Sequence, residues 1–274
     1  MSTASPRVVA HRGASAVEPE HTLAAYVEAL EAGADGLECD VRLTADGHLV
    51  CVHDRTVDRT SNGSGLVSTL ELTDLEGLDW GSWKKLAHDA GAQPDVPDVV
   101  EQDDRAHLLT LKKLLSLVAD CGRPVEVVVE TKHPTRYGGL VERTLVETLD
   151  HFGWADPTPD KPSPVRVMSF SILAMRRMRL LAPGVPRVFL MDRMPLPYRD
   201  GSLPRGVMAA GIGVRILRAH PRYVERAHAQ GHEVHVWTVD KPADVERCLD
   251  TGVDVIITNR PADVLARLGR GPAG

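Results

Sequence analysis

The stretch "RVVAHRGASAVEPEHTLAAYVEALEAGADGLECDV" (residues 7–41) holds two short β-rich runs, Arg7 to His11 and Gly36 to Val41, around one segment of helical period that closes in glycine. Such a sequence reads as one βαβ unit, which sets its two strands parallel. The rhythm continues to the C-terminus. Candidate strands follow at 125–131, 165–170, 187–192, 213–217, 233–239 and 254–258. Between them lie helical stretches such as "GGLVERTLVETLDHFG", "SILAMRRMRLLAPG", "PRYVERAHAQG" and "KPADVERCLDTG", several ending in glycine as helices commonly do. Eight strands alternating with helices over roughly 250 residues predict a closed (β/α)8 TIM barrel. A doubly wound open sheet is the competing arrangement, but "HRGASAVE" after the first strand lacks the GxGxxG spacing of a dinucleotide-binding loop.

Two regions depart from the rhythm. "TADGHLVCVHD" (44–54) reads as the return of a hairpin through an Asp46-Gly47 turn, because Asp-Gly supplies the backbone angles a tight hairpin needs. Residues 55 to about 108 are rich in Gly, Asp and Pro and carry Trp80 and Trp83. An interruption of that length is a functional insertion or a small subdomain. The expectation is a single barrel domain over residues 1–274 with an inserted subdomain at about 55–108.

Composition excludes several classes. A net charge of -6, a pI near 6.1 and an aromatic content of 4% argue against a nucleic-acid binder, which shows a basic face or stacking platforms. No apolar run is long enough to span a bilayer. Cys39, Cys51, Cys121 and Cys248 form no CxxC pair and read as reduced core thiols. "MSTASPRVVAHRG" has no apolar signal-peptide core, so the chain reads as cytoplasmic.

In a barrel of this type the chemistry sits at the C-terminal ends of the strands. His11 and Arg12 end the first strand, Glu38 and Asp40 the second, Glu130 and Lys132 the third, and Trp237 lies near the end of the seventh. Residues two apart on a strand share a face, so Glu38 pairs with Asp40 and Glu130 with Lys132, while Cys39 points away. Taken singly, each has an ordinary explanation. A strand-end carboxylate caps a loop, Arg12 has partners to hand in Glu18 or Glu20, and Trp237 packs in a core. Taken jointly, three carboxylates meet a lysine and an arginine at one rim, a costly arrangement unless a cation neutralises it. Oxygen ligands favour Mg2+ or Ca2+ over zinc. His107, His133, His220, His228, His232 and His235 read as scattered surface or structural histidines.

The segment "AHRGASAVEPEHTLAAYVEALEAGADGLECDVRLTADGHLVCVHDRTVDRTSNGSG", with "VVVETK", "VHVWTVD" and "GVDVIITNRP" further on, resembles the glycerophosphodiester phosphodiesterases. The resemblance is dense over residues 8–65 and ordered through 261. It implies a TIM-barrel phosphodiesterase that hydrolyses small glycerophosphodiesters to an alcohol and sn-glycerol 3-phosphate. It further implies one divalent metal ion, Mg2+ or Ca2+, on Glu38, Asp40 and Glu130, an acid/base pair in His11 and His53, and phosphate contacts from Arg12 and Lys132. Trp237 is expected to touch substrate. A phosphodiesterase of the phospholipase D type acting on lysophospholipids is the nearest alternative, favoured if Trp80 and Trp83 line an apolar groove. A catalytically silent binding barrel is disfavoured because every expected position is filled, and a metal-dependent amidohydrolase because strand one ends in His-Arg rather than His-x-His. One departure stands out: the family's "PENT" is "PEHT" here, with His21 for asparagine. His21 is expected to order the loop only, with Thr22 capping the helix.

Overall fold

The computed structural model describes residues 5–84 and 106–271. Eight parallel strands close into a barrel: β1 (Arg7–His11), β2 (Gly36–Leu43), β4 (Glu126–Thr131), β5 (Val165–Ser169), β6 (Arg187–Met191), β7 (Ala209–Gly213), β8 (Glu233–Trp237) and β9 (Val255–Thr258). Closure comes from β1, which pairs in parallel with both β2 and β9. The short β3 (Leu49–Cys51) runs antiparallel to β2, and Gly47 in the intervening turn has φ +88°. That is the predicted Asp-Gly hairpin, and it brings the chain after Cys51 back towards the rim where β2 ends.

Strand parity sorts the residues into two cores. Val9, Val128, Met168, Val188, Leu190, Ala209, Val255 and Ile257 face inwards and fill the barrel. Their neighbours, among them Val8, Ala10, Leu37, Cys39, Val127 and Val129, face outwards and pack under the helices. Cys39 is fully buried in this outer layer, on the side away from Glu38 and Asp40, as predicted. The charged groups take the two ends. Arg7, Glu126, Arg166 and Glu233 join in one ion-pair network at the strand N-termini. The other set lies above the apolar plug, at the C-terminal ends.

The helices that accompany the barrel include α1 (Leu23–Glu31), α2 (Leu72–Glu76), α3 (Leu111–Ala119), α4 (Leu140–His151), α5 (Ile172–Leu181), α6 (Val214–Ala219), α7 (Tyr223–Ala229), α8 (Pro242–Thr251) and α9 (Pro261–Arg267). Local chemistry sets their ends. Thr22 caps α1 by accepting from the Ala25 amide, and Ser171 and Thr110 do the same for α5 and α3. Pro242 opens α8 and Gly252, in the left-handed region at φ +73°, closes it.

One predicted strand is displaced. "GVRIL" (213–217) is mostly helix α6, and the seventh barrel strand is the preceding Ala209–Gly213. The cause is steric. Gly211 faces inwards, where a Cβ would lie 2.6 Å from Leu190 Cδ2 and 3.1 Å from Val188 Cγ1. The barrel interior therefore demands small residues there, and the strand loses the β-branched signature by which strands are recognised.

Within the expected insertion, Val57, Val67, Leu75 and Trp80 form a small apolar cluster with Val50, Val52 and Leu108. Residues 85–105 of that insertion lie outside the described residues.

Candidate active site

A cavity of about 460 Å3 opens at the C-terminal ends of the strands. His11, Arg12, Glu38, His53, Glu130, Lys132 and Trp237 all line it, and Asp40 lies against it beside Glu38 and Glu130. Every residue expected at the site from the sequence is thus brought to one place. Met168, Phe170, Leu190 and Ile257 complete an apolar wall, with Asp192 at its edge. Phe170 meets Trp237 edge to face at 5.6 Å, and the buried Trp237 Nε1 has no hydrogen-bond partner.

Three carboxylates sit at the polar end. Glu38 and Asp40 are each 1% exposed and Glu130 7%, and one oxygen of each lies within 4.8 Å of the others. Such closeness leaves a clear electrostatic signature. Burial, then the Asp40 charge, push Glu38 up, and the same two causes push Glu130 up to about 8. Burial would raise Asp40 too, but Lys132, the His21 hydrogen bond and Arg12 outweigh it and hold Asp40 well below the ordinary carboxylate range. Lys132 Nζ lies 3.0 Å from Asp40 Oδ1 and 2.9 Å from Glu130 Oε1.

Arg12 reaches the cavity because the β1–α1 loop is tightly wound. Arg12 has φ +59°, and Gly13 follows at φ +82°, where a Cβ would lie 2.6 Å from the Ala25 backbone. The Arg12 amide donates to Glu38 Oε2 at 3.0 Å, and its guanidinium bonds Glu20 at 3.0 Å. The simple partner foreseen for Arg12 is therefore present, but it aims the guanidinium rather than consuming it. Arg12 Nε is 3.0 Å from Asp40 Oδ2 without hydrogen-bond alignment, a buried donor still unsatisfied.

The two histidines are anchored alike. His11 Nδ1 donates to Asn259 Oδ1 at 2.7 Å, and Asn259 is held through its side-chain and backbone N–H groups by Asp240. His53 Nδ1 is 2.6 Å from Asp54 Oδ1, and Asp54 is gripped by Arg59 at 2.6 Å. In both rings the anchor leaves Nε2 for the cavity. Burial lowers His11 to about 4, aided by the Arg12 charge, and burial lowers His53 as well. Asn259, Asp240, Asp54 and Arg59 were not singled out as site residues in the sequence. Asp240 and Asn259 carried only a position near a strand end, as in "TVD" and "TNR", whereas Asp54 and Arg59 lay within the family-like "HDRTVDRT".

A family model described as the glycerophosphoryl diester phosphodiesterase family matches residues 11–263. The chain belongs to that family. It is a phosphoric diester hydrolase, and the charged rim is where the family resemblance was densest. Among curated relatives, "Probable glycerophosphodiester phosphodiesterase 1" of Mycobacterium tuberculosis is 48% identical over 98% of this chain and 94% of its own length. The glycerophosphodiester phosphodiesterase of Bacillus subtilis is 32% identical over 96% of this chain and 86% of its own. Two solved structures share the barrel. A phosphodiesterase of Oleispira antarctica in complex with the product sn-glycerol-3-phosphate superposes with a TM-score of 0.78 at 22% identity, covering 96% of this chain and 97% of that one. A glycerophosphodiester phosphodiesterase of Agrobacterium tumefaciens gives 0.73 at 26%, covering 96% and 100%.

The residue that departs from the family motif requires a correction. Thr22 does cap the helix, but His21 does more than order the loop. It is 5% exposed, its Nε2 lies 3.0 Å from Asp40 Oδ2 and its Nδ1 2.9 Å from the Tyr26 hydroxyl. Among the described residues, Trp80 and Trp83 do not line the cavity. Trp80 is buried in the insertion's own cluster with its Nε1 on Leu75 O, and Trp83 bonds Trp80 O. Among the described residues, no helix is long and apolar enough to cross a membrane.

Proposed function

We propose that this family member hydrolyses glycerophosphodiesters to an alcohol and sn-glycerol 3-phosphate at the strand-end cavity, with one Mg2+ or Ca2+ held by Glu38, Asp40 and Glu130. The observation that carries the reading is the meeting of three buried carboxylates, two cations and two Nδ1-anchored histidines in one cavity. The donor set fits the ion: three carboxylate oxygens within 4.8 Å, two of the groups driven towards protonation by their mutual charge, are the hard ligands such a cation takes. Bound there, the cation supplies Lewis-acid charge to the phosphoryl oxygens.

The rest of the chemistry falls to the chain's own residues. Arg12 and Lys132, which both line the cavity, face the phosphate and offset the charge that builds during displacement. His11 and His53 are the acid/base pair. One, neutral, accepts the proton of the attacking hydroxyl at Nε2, and the other, as imidazolium, delivers its Nε2 proton to the departing alkoxide. Asp240, through Asn259, and Asp54 keep the two rings in the tautomer those transfers need. Trp237 and Phe170 supply the apolar wall for the carbon skeleton of the substrate. The Oleispira relative, with the same barrel, was solved with sn-glycerol-3-phosphate, which supports this product. Four free cysteines suit a reducing compartment, and the cytoplasm is the proposed location of a single-domain enzyme bearing one insertion.

The test is a panel of glycerophosphodiesters and lysophospholipids, assayed with and without chelator. The expected result is glycerol 3-phosphate from the deacylated diesters, abolished by chelation. No release from any diester with Mg2+, Mn2+ or Ca2+ supplied would overturn the proposal, and faster turnover of lysophospholipids would replace it with the phospholipase D type.

A further inference from the structure

A second cavity adjoins the first across Lys132, which lines both. It lies between the β4–α4 loop and the turn around Val67, and four of its lining residues are cations: Arg42, Arg55, Lys132 and Arg136. No carboxylate lines it among the described residues, although the chain as a whole carries a net charge of -6. Four like charges gathered round one hollow repel one another, and an acidic protein has carboxylates to spare for the surface. The absence of any from this wall is the feature that needs a cause.

The cations are not equally committed. Lys132 is engaged by Asp40 and Glu130. Arg42 spends Nε and Nη2 on the His53 carbonyl, at 3.0 and 2.6 Å, and keeps Nη1. Among the described residues, Arg55 and Arg136 make no side-chain hydrogen bond or ion pair. Arg136 lies over the Tyr137 ring at 5.6 Å, and Tyr137 in turn donates to Ser68 O at 2.9 Å, which fixes the wall on which that guanidinium rests. The cavity measures about 50 Å3, several times the roughly 10–15 Å3 that one water requires. That room suits a tetrahedral oxyanion and is too small for a sugar or an acyl chain.

We infer that this hollow is a phosphate subsite, in which Arg55, Arg136 and the remaining N–H groups of Arg42 hold a phosphate group next to the one undergoing hydrolysis. Guanidinium is the cation best matched to phosphate oxygens, through paired N–H donors. The inference rests on the proposed phosphodiesterase reading, since Lys132 then separates the scissile phosphate from the second one. The substrates selected are glycerophosphodiesters whose leaving alcohol itself bears a phosphate. Free inorganic phosphate offers the same chemistry and is the other source.

The test compares glycerophosphoglycerol with its counterpart phosphorylated on the distal glycerol, using the full-length protein and an Arg55→Ala/Arg136→Ala double variant. Removing two charge-assisted contacts is expected to raise KM for the phosphorylated substrate about tenfold. KM for the unphosphorylated one stays within about twofold of its original value on that reading. Calorimetric titration with inorganic phosphate distinguishes the free source: the unaltered protein then takes up one phosphate more than the double variant. Equal KM changes for both substrates, together with equal phosphate uptake, would overturn the subsite. If the unaltered protein hydrolyses neither diester, the phosphodiesterase reading fails, and the phosphate titration still decides the subsite.

Discussion

His21 Nε2 lies 3.0 Å from Asp40 Oδ2, so the residue that replaces asparagine in "PEHT" is in direct contact with one of the three clustered carboxylates. Asp40 can only accept, so His21 donates from Nε2. The Tyr26 hydroxyl lies 2.9 Å from Nδ1 and donates to Glu38 O at 3.2 Å. Burial favours the neutral His21 ring. His21 is held at φ +63°, a conformation that asparagine and histidine visit more readily than most residues, which explains why the exchange is tolerated. His21→Ala is expected to weaken divalent-cation binding by roughly ten- to a hundredfold, the usual effect of losing a group that orients a ligand. His21→Asn should restore much of it. Calorimetry with Mn2+ on the chelator-stripped protein measures both. Unchanged affinity in the alanine variant would mean that Lys132 and Arg12 orient Asp40 unaided.

Cation binding should release protons. Burial and the Asp40 charge raise Glu38 and bring Glu130 to about 8, so without a cation the site holds protons at neutral pH that a bound cation must expel. Affinity therefore rises with pH through about 8, where Glu130 gives up its proton. Titrations in buffers of different ionisation enthalpy count the protons. A count near zero at pH 7 would show that the three carboxylates are already ionised.

His53→Ala and Glu38→Gln are each expected to lower turnover by at least about a hundredfold, the scale of a lost proton-transfer group or ligand. Asn259→Ala should have a smaller effect and a distinct one. His11 Nδ1 loses its acceptor, the ring is freed to change tautomer, and the pH–rate profile shifts while cation affinity holds. Near-normal turnover in the His53 variant would place the proton transfer elsewhere.

The barrel was legible in the sequence because each strand except β7 combines β-branched residues with a clear boundary. β7 was hidden because its inward position at Gly211 must leave room for Leu190 and Val188. Helices α3 and α9 also passed unmarked, lying beyond the insertion and after the last strand. The site's reacting groups could be found because ionisable residues at strand ends are conspicuous among apolar runs. Their supports could not. Asn259 anchors the His11 ring from 248 residues away, and Asp240 acts only through Asn259. The His21–Asp40 contact fails to show for a different reason, since a residue before a capped helix reads as loop chemistry until the fold turns it inwards.

The base of the barrel offers a prediction about stability that is separable from activity. Glu233 is brought down to about 2 by its hydrogen bond with His235 and by the charges of Arg166 and Arg7, against the opposing effect of burial. A carboxylate depressed in this way stabilises the fold above its unfolded pKa of about 4.3, and that contribution is lost as pH falls through the folded value. His235 is fully buried and lowered by burial, so the unfolded chain gains a proton below about 6.5 that the folded one resists. Both effects carry the same sign: stability falls as pH drops, first below about 6.5 and again between about 4.3 and 2. Glu233→Gln should lower the urea midpoint at pH 7, because Arg7 and Arg166 lose a shared partner, and the gap from the unaltered protein should shrink as pH approaches 2. Its turnover at pH 7 should remain near normal, because the network lies across the apolar plug from His11 and Glu38. Parallel pH dependences in the two proteins would remove Glu233 as the source of acid sensitivity, and a large loss of turnover would show that the base of the barrel is coupled to the active rim.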